Sequence, residues 1–122
     1  MAAGEYFTSE ERLAIHGAIH RAELASRFEF SVFVGPSEGS DPRAFATRLH
    51  NRLAAPPRSV MIVVDPVAHT LEVVTGGQVR DIAGDTEVSR VVAEMTGRFA
   101  AGDLAGGIEH GITQIAALRP KA

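Results

Sequence analysis

Ser59-Val-Met-Ile-Val-Val-Asp-Pro-Val-Ala-His-Thr-Leu-Glu-Val-Val-Thr-Gly-Gly77 is the stretch that decides the fold. Residues 60–64 form an unbroken apolar run with no polar side. Asp65-Pro66 ends it with turn chemistry, and a second run rich in β-branched residues follows at 71–75. A strand that is apolar on both faces needs cover on both faces. The stretch therefore predicts an α/β fold: a three-layer α/β/α sandwich around a small Rossmann-like mixed sheet, with 60–64 as the central strand and four helices.

The flanking sequence agrees. Upstream, Phe28-Glu-Phe-Ser-Val-Phe-Val34 alternates, which sets Phe28, Phe30, Val32 and Val34 on one side of a strand. Asp41-Pro42 then reads as an N-cap followed by proline at the first helical position. Phe45, Leu49 and Leu53 continue that helix as a stripe until Pro56-Pro57 stops it. A whole helix between two strands makes them parallel, whereas the short link after Asp65 makes the next pair antiparallel. At the start of the chain, Thr8-Ser-Glu-Glu11 has capping-box spacing and opens a helix over Ser9–Ser26, with Ile15, Ile19 and Ala22 buried.

Downstream, Asp85 is expected to cap a third helix whose stripe is Val88, Val91, Val92, Met95 and Phe99. Gly102 suits the position just past its end, and Asp103 the cap of a last helix carrying Leu104, Ile108, Ile112, Ile115 and Leu118. Gly106, Gly107 and Gly111 in that helix each cost about 1 kcal/mol against alanine. Their presence predicts close packing against another backbone. The tail from Arg119 is expected to fray.

The 122 residues suit one domain spanning 1–122. A net charge of −3 disfavours nucleic acid as a partner. The absence of cysteine removes disulfides, thiolate metal sites and cysteine nucleophiles. No apolar run approaches the roughly 20 residues of a membrane span. Met1-Ala-Ala-Gly-Glu-Tyr-Phe7 has neither the basic nor the apolar region of a signal peptide. The expectation is a cytoplasmic protein without a membrane span, acting on an unknown protein partner.

The order helix, strand, helix, strand hairpin, helix, helix resembles the TPM domain family. The residues that carry the resemblance are Val73-Val-Thr-Gly76-Gly77, the helix opened at Asp85, and Phe99-Ala-Ala-Gly-Asp103-Leu-Ala-Gly-Gly107. The last segment is similar to that family's aromatic–Gly–Asp–aromatic/aliphatic–Gly join between its final two helices. Nearly the whole chain is covered, and within the family it resembles more closely a small uncharacterised actinobacterial branch, a domain of unknown function. The resemblance implies a divalent cation, Ca²⁺ or Mg²⁺, held by acidic residues. An acid phosphatase activity proposed for a plant member implies a second class of function. The export signal and membrane anchor usual in the family are not read in this sequence.

Two acidic clusters are candidate cation sites. Ligands favour the carboxyl ends of parallel strands, and that edge carries Glu38, Asp41 and Asp65 beside a glycine-rich loop. The plainer reading makes Asp41 a cap, Asp65 a turn residue and Glu38 solvated. At the opposite end, Asp81 and Asp85 follow Gly76-Gly77 and match the resemblance. Their plainer reading is a turn and an N-cap. His16 and His20 share a helix face as zinc ligands can, but Gly17 stands where a metalloprotease motif has glutamate, so they read as boundary residues. Arg43, Arg48, Arg52 and Arg58 read as a solvated face rather than a phosphate grip. His50, His69 and His110 have no partner that sequence identifies. No nucleophile elbow, Walker loop or dinucleotide fingerprint is present, so no catalytic or cofactor-binding residue is assigned. The expected function is a non-enzymatic protein-binding or regulatory module tuned by a divalent cation, with a weak metal-dependent phosphatase as the alternative.

Overall fold

The strand with no polar side lies between two others, in a computed structural model that describes residues 6–120. The expectations for the first five residues and for 121–122 lie outside that range. The elements are α1 (Ser9–Ser26), β1 (Glu29–Val34), α2 (Pro42–Asn51), a 3₁₀ turn (Pro56–Arg58), β2 (Ser59–Asp65), β3 (Thr70–Thr75), α3 (Gly77–Arg80), α4 (Asp85–Ala100) and α5 (Leu104–Ala117). The sheet order is β1-β2-β3. β1 runs parallel to β2, with Phe30 beside Val60 and Val34 beside Val64. β3 runs antiparallel to β2, with Val60 beside Thr75 and Asp65 beside Thr70.

Every residue of β2 is buried. Successive side chains point to opposite faces, so the strand feeds two cores. Val60, Ile62 and Val64 join Phe28, Phe30, Val34 and Val73 under α1, α4 and α5. Met61 and Val63 join Val74 under Phe45 and Ala46 of α2. The layers are thus three helices, a sheet, and one helix.

The caps explain most boundaries. Thr8 and Glu11 form the reciprocal box at 2.8 and 3.0 Å. Asp41 accepts from the Ala44 amide and starts α2. At the end of α4, Gly102 takes φ +88° while the Asp103 and Gly102 amides bond to the Arg98 and Phe99 carbonyls. Asp103 then caps α5 by accepting from Gly106.

Four expectations need correction. The cap of α4 is Gly84, not Asp85. The Ile82 and Ala83 amides both turn back onto Val79, so Gly84 is the extended residue and Asp85 sits in the first helical turn. There it favours the positive helix end by charge rather than by a side-chain cap. Among the described residues there are five full helices rather than four, because Gly77–Arg80 closes one turn. Gly76 is the N-cap of that turn at φ −74°, so no left-handed glycine is involved. A side chain is excluded there because its Cβ would stand 2.0 Å from the Pro56 carbonyl oxygen and 2.4 Å from that of Pro57. α2 ends at Asn51, so Leu53 packs from beyond the helix and the two prolines build the 3₁₀ turn instead of stopping α2. Finally, the α5 glycines make room chiefly for side chains. A Cβ on Gly107 would lie 2.4 Å from the Phe99 ring and 3.3 Å from the Met95 carbonyl oxygen, and one on Gly111 would lie 2.3 Å from Met95 Sδ. Gly106 lies against the capping carboxylate of Asp103.

Candidate functional site

Among the described residues β3 has a neighbour strand on one side only, and the space along its other edge is concave. A groove of about 680 Å³ lies between the β2–β3 hairpin and the join of α4 to α5. Its floor is apolar, made by Val64, Leu71, Phe99 and Leu104, while Asp65 and Glu72 add carboxylates. A second cleft of about 310 Å³ shares Leu71 and Glu72 and continues past Val73 and Thr75 to Asp85. Together they form a trough running the length of β3 against α4.

Local chemistry builds both walls. Phe99 is half-buried because Gly107 leaves room for its ring. The turn at Gly102 then brings Leu104 round to the same groove. On the hairpin side, His69 takes φ +58° in the turn, and Val67 at the tip is 81% exposed. The edge of β3 is partly closed by arginines. Arg43 donates to the Val73 carbonyl at 2.7 Å and lies 3.4 Å from Glu72. Arg80 donates to the Thr75 carbonyl. Strand addition at this edge is therefore hindered, whereas side-chain insertion into the trough is not.

Asp65 is buried and fully engaged. Its Oδ2 accepts from the Ser37 amide at 3.0 Å, and its Oδ1 accepts from Val67 and Ala68 at 3.1 and 3.0 Å. The Ser37 bond, followed by the Ala68 bond, holds its carboxyl below the ordinary aspartate value, while burial opposes the shift. Glu38 and Asp41 are exposed, and Asp41 caps α2. Asp81 and Asp85 are exposed at the end of α3 and the start of α4. Among the described residues no three of His, Asp and Glu converge closely enough to hold a metal ion. The buried Ser37 hydroxyl has no hydrogen-bond partner among them, so Asp65 is not placed to activate it as a base.

The remaining sequence candidates disperse. His16 and His20 are exposed on α1. The arginines in and after α2 are exposed, and some also make contacts: beyond Arg43, Arg48 lies over the Phe45 ring at 5.8 Å, and Arg58 of the 3₁₀ turn pairs with Glu29 at 2.6 Å. Two histidines do have partners. Buried His50 donates from Nε2 to the Ser59 carbonyl at 3.1 Å. His110 meets Glu94 at 2.7 Å and, with help from Arg90, pulls the Glu94 carboxyl down. Sequence reasoning missed the trough and its arginine guards. Arg80, five residues past Thr75, is the local signal, whereas Arg43 lies in α2 and reaches Val73 only through the fold.

The pattern of a family described as "Domain of unknown function (DUF5130)" matches residues 2–118. The chain belongs to the DUF5130 family. An uncharacterized protein of Mycobacterium tuberculosis, found in two strains, is 26% identical over 111 residues. The match covers 91% of this DUF5130 chain and 66% of that protein, so the chain spans just under two thirds of its relative's length. Among solved structures, the BA42 protein from the psychrophilic bacterium Bizionia argentinensis is similar with a TM-score of 0.83 at 22% identity, covering 93% of this chain and 81% of that one. The N-terminal domain of the cg2496 protein from Corynebacterium glutamicum is similar at 0.79 and 14%, covering 93% and 74%. The N-terminal domain of a protein from P. gingivalis is similar at 0.77 and 20%, covering 91% and 74%. These likenesses establish the fold. No helix among the described residues is long and apolar enough to cross a membrane.

Proposed function

We propose that this TPM-like DUF5130 domain is a non-enzymatic binding module whose trough takes an extended segment of a partner protein. The observation that carries the reading is an apolar groove of about 680 Å³, a size that accepts one or two large side chains, prolonged along an edge strand by a polar cleft. An apolar anchor of the partner enters over Leu71 and Phe99. A basic group further along faces Glu72 and Asp85. The second part of the proposal is that Ca²⁺ or Mg²⁺ at Asp81 and Asp85 tunes this binding: both carboxylates are exposed, they flank the turn between α3 and α4, and Asp85 lines the far end of the trough. Such a site completes its coordination with water and backbone oxygens.

The test is a random-peptide display selection on the immobilised chain, followed by titration of the selected peptides with and without millimolar CaCl₂. Selected peptides should share an apolar anchor and lose affinity at least about tenfold on Leu71→Glu, in which a buried apolar contact becomes a charge. Calcium should shift the affinity, and Asp81→Asn should remove the shift. Peptides that bind Leu71→Glu as tightly as the native chain would overturn the trough reading. Affinity identical with calcium and with chelator would remove the cation from it.

A further inference from the structure

We propose that α1 pairs antiparallel with α1 of a second copy of this chain across a two-fold axis. α1 buries Ile15, Ala18 and Ala22 against the rest of the domain. The face turned directly away from them carries Glu10, Leu13, Gly17, His20 and Leu24, with Arg27 just past the helix end. Leu13 is 70% exposed and Leu24 67%, the two most exposed leucines among the described residues. Their spacing through Gly17 and His20 is four, three, four, the spacing of a coiled-coil seam.

The seam is complementary to its own reverse. A two-fold antiparallel pairing centred between Ala18 and Ile19 sets each residue against the one at which the two numbers sum to 37. Leu13 then meets the partner's Leu24, so both exposed leucines are covered. Gly17 meets the partner's His20, a small residue facing a large one. Glu10 meets the partner's Arg27, an acid facing a base. Because the interface is isologous, each pairing occurs twice. Among the described residues neither Glu10 nor Arg27 has an ion-pair partner within its own chain. The fit requires one adjustment: Arg21, exposed and long, lies across Gly17 and must swing aside. A parallel pairing lacks this fit, because it sets Glu10 against Glu10 and His20 against His20.

From Glu10 to Arg27 the seam is about 25 Å long. One helix on one helix falls short of the roughly 1,200 Å² of a stable interface, so the association is weak and concentration-dependent. This surface lies on α1 and is independent of the trough along β3.

Sedimentation equilibrium of the whole chain from about 10 μM to about 1 mM tests the proposal. The native mass should rise toward that of a dimer across the series. Leu13→Glu and Leu24→Glu should each stay monomeric with an unchanged melting temperature, since both positions are exposed. Glu10→Arg and Arg27→Glu should each weaken the dimer about fivefold, and the double variant should recover most of that loss. A native chain that stays monomeric throughout overturns the proposal, and so does a dimer that survives Leu24→Glu. A double variant no tighter than the single ones also overturns it, because it removes the antiparallel register.

Discussion

Asp65 shows how a single residue can look like a ligand and serve as a clasp. Its position at the end of the central strand is legible, because Asp-Pro after an apolar run marks a turn. What sequence does not carry is the third bond. Ser37 lies 28 positions away, and only the parallel pairing of β1 with β2 brings its amide to the carboxylate. The clasp holds the loop after β1 to the hairpin after β2, and it works through charge. Asp65→Asn keeps the shape but weakens charge-assisted bonds, so it should cost about 1–3 kcal/mol at neutral pH. The sign with pH follows from the lowered carboxyl value. A group whose folded value is depressed contributes its full stability above the unfolded value of about 3.9 and loses it as pH falls through the folded value. Melting temperatures of the native chain and the Asp65→Asn variant should therefore differ at pH 7 and converge below about pH 4. A constant gap from pH 7 to pH 3 would show that the charge plays no part.

At the scale of elements, helices were more legible than the glycines between and within them. The stripe of α4 and the caps of α1, α2 and α5 follow from local side chains, and local side chains are what a sequence displays. A glycine displays nothing, and its reason lies in whatever has moved into the vacant space. Gly76 exists because two carbonyls of the 3₁₀ turn pass over it, and Gly107 because Phe99 does. The two should respond differently to alanine. At Gly76 the obstacle is backbone at 2.0 Å, which cannot yield without moving the start of β2, so Gly76→Ala should cost about 3 kcal/mol or more. At Gly107 the nearest obstacle is a half-buried ring that can tilt into the groove, so Gly107→Ala should cost about 1–2 kcal/mol. Urea denaturation of both variants measures the difference. Equal losses would mean that Phe99 is as immovable as the backbone over Gly76.

For the whole molecule, the layered fold was readable because one strand is apolar on both faces, while the candidate site was not. A trough belongs to the gap between β3 and α4, and gaps are products of packing that no single segment encodes. The same central placement makes a prediction about dynamics. Along β2, alternate residues bond to β1 and to β3, as the Gly35 bond to Val64 and the Gly76 bond to Ser59 show at the two ends. Every amide of 60–64 is thus engaged in the sheet and buried beneath helices on both faces. Freeing one requires parting the strand from a neighbour, so these amides should exchange only through global unfolding, which costs about 5–15 kcal/mol in a domain of this kind. The edges differ. Along β3 the residues that bond to β2 alternate with Leu71 and Val73, whose amides face the trough. Along β1 the Phe30 amide is held by the Glu23 carboxylate at 3.0 Å, whereas Val32 on the same side has no such acceptor among the described residues. Hydrogen exchange followed by NMR should therefore rank the β2 amides slowest, Phe30 next, and Val32, Leu71 and Val73 faster by orders of magnitude. If the amides of 60–64 instead exchange as fast as Leu71 and Val73, β2 does not lie between two partners, and the layered fold built on it fails with it.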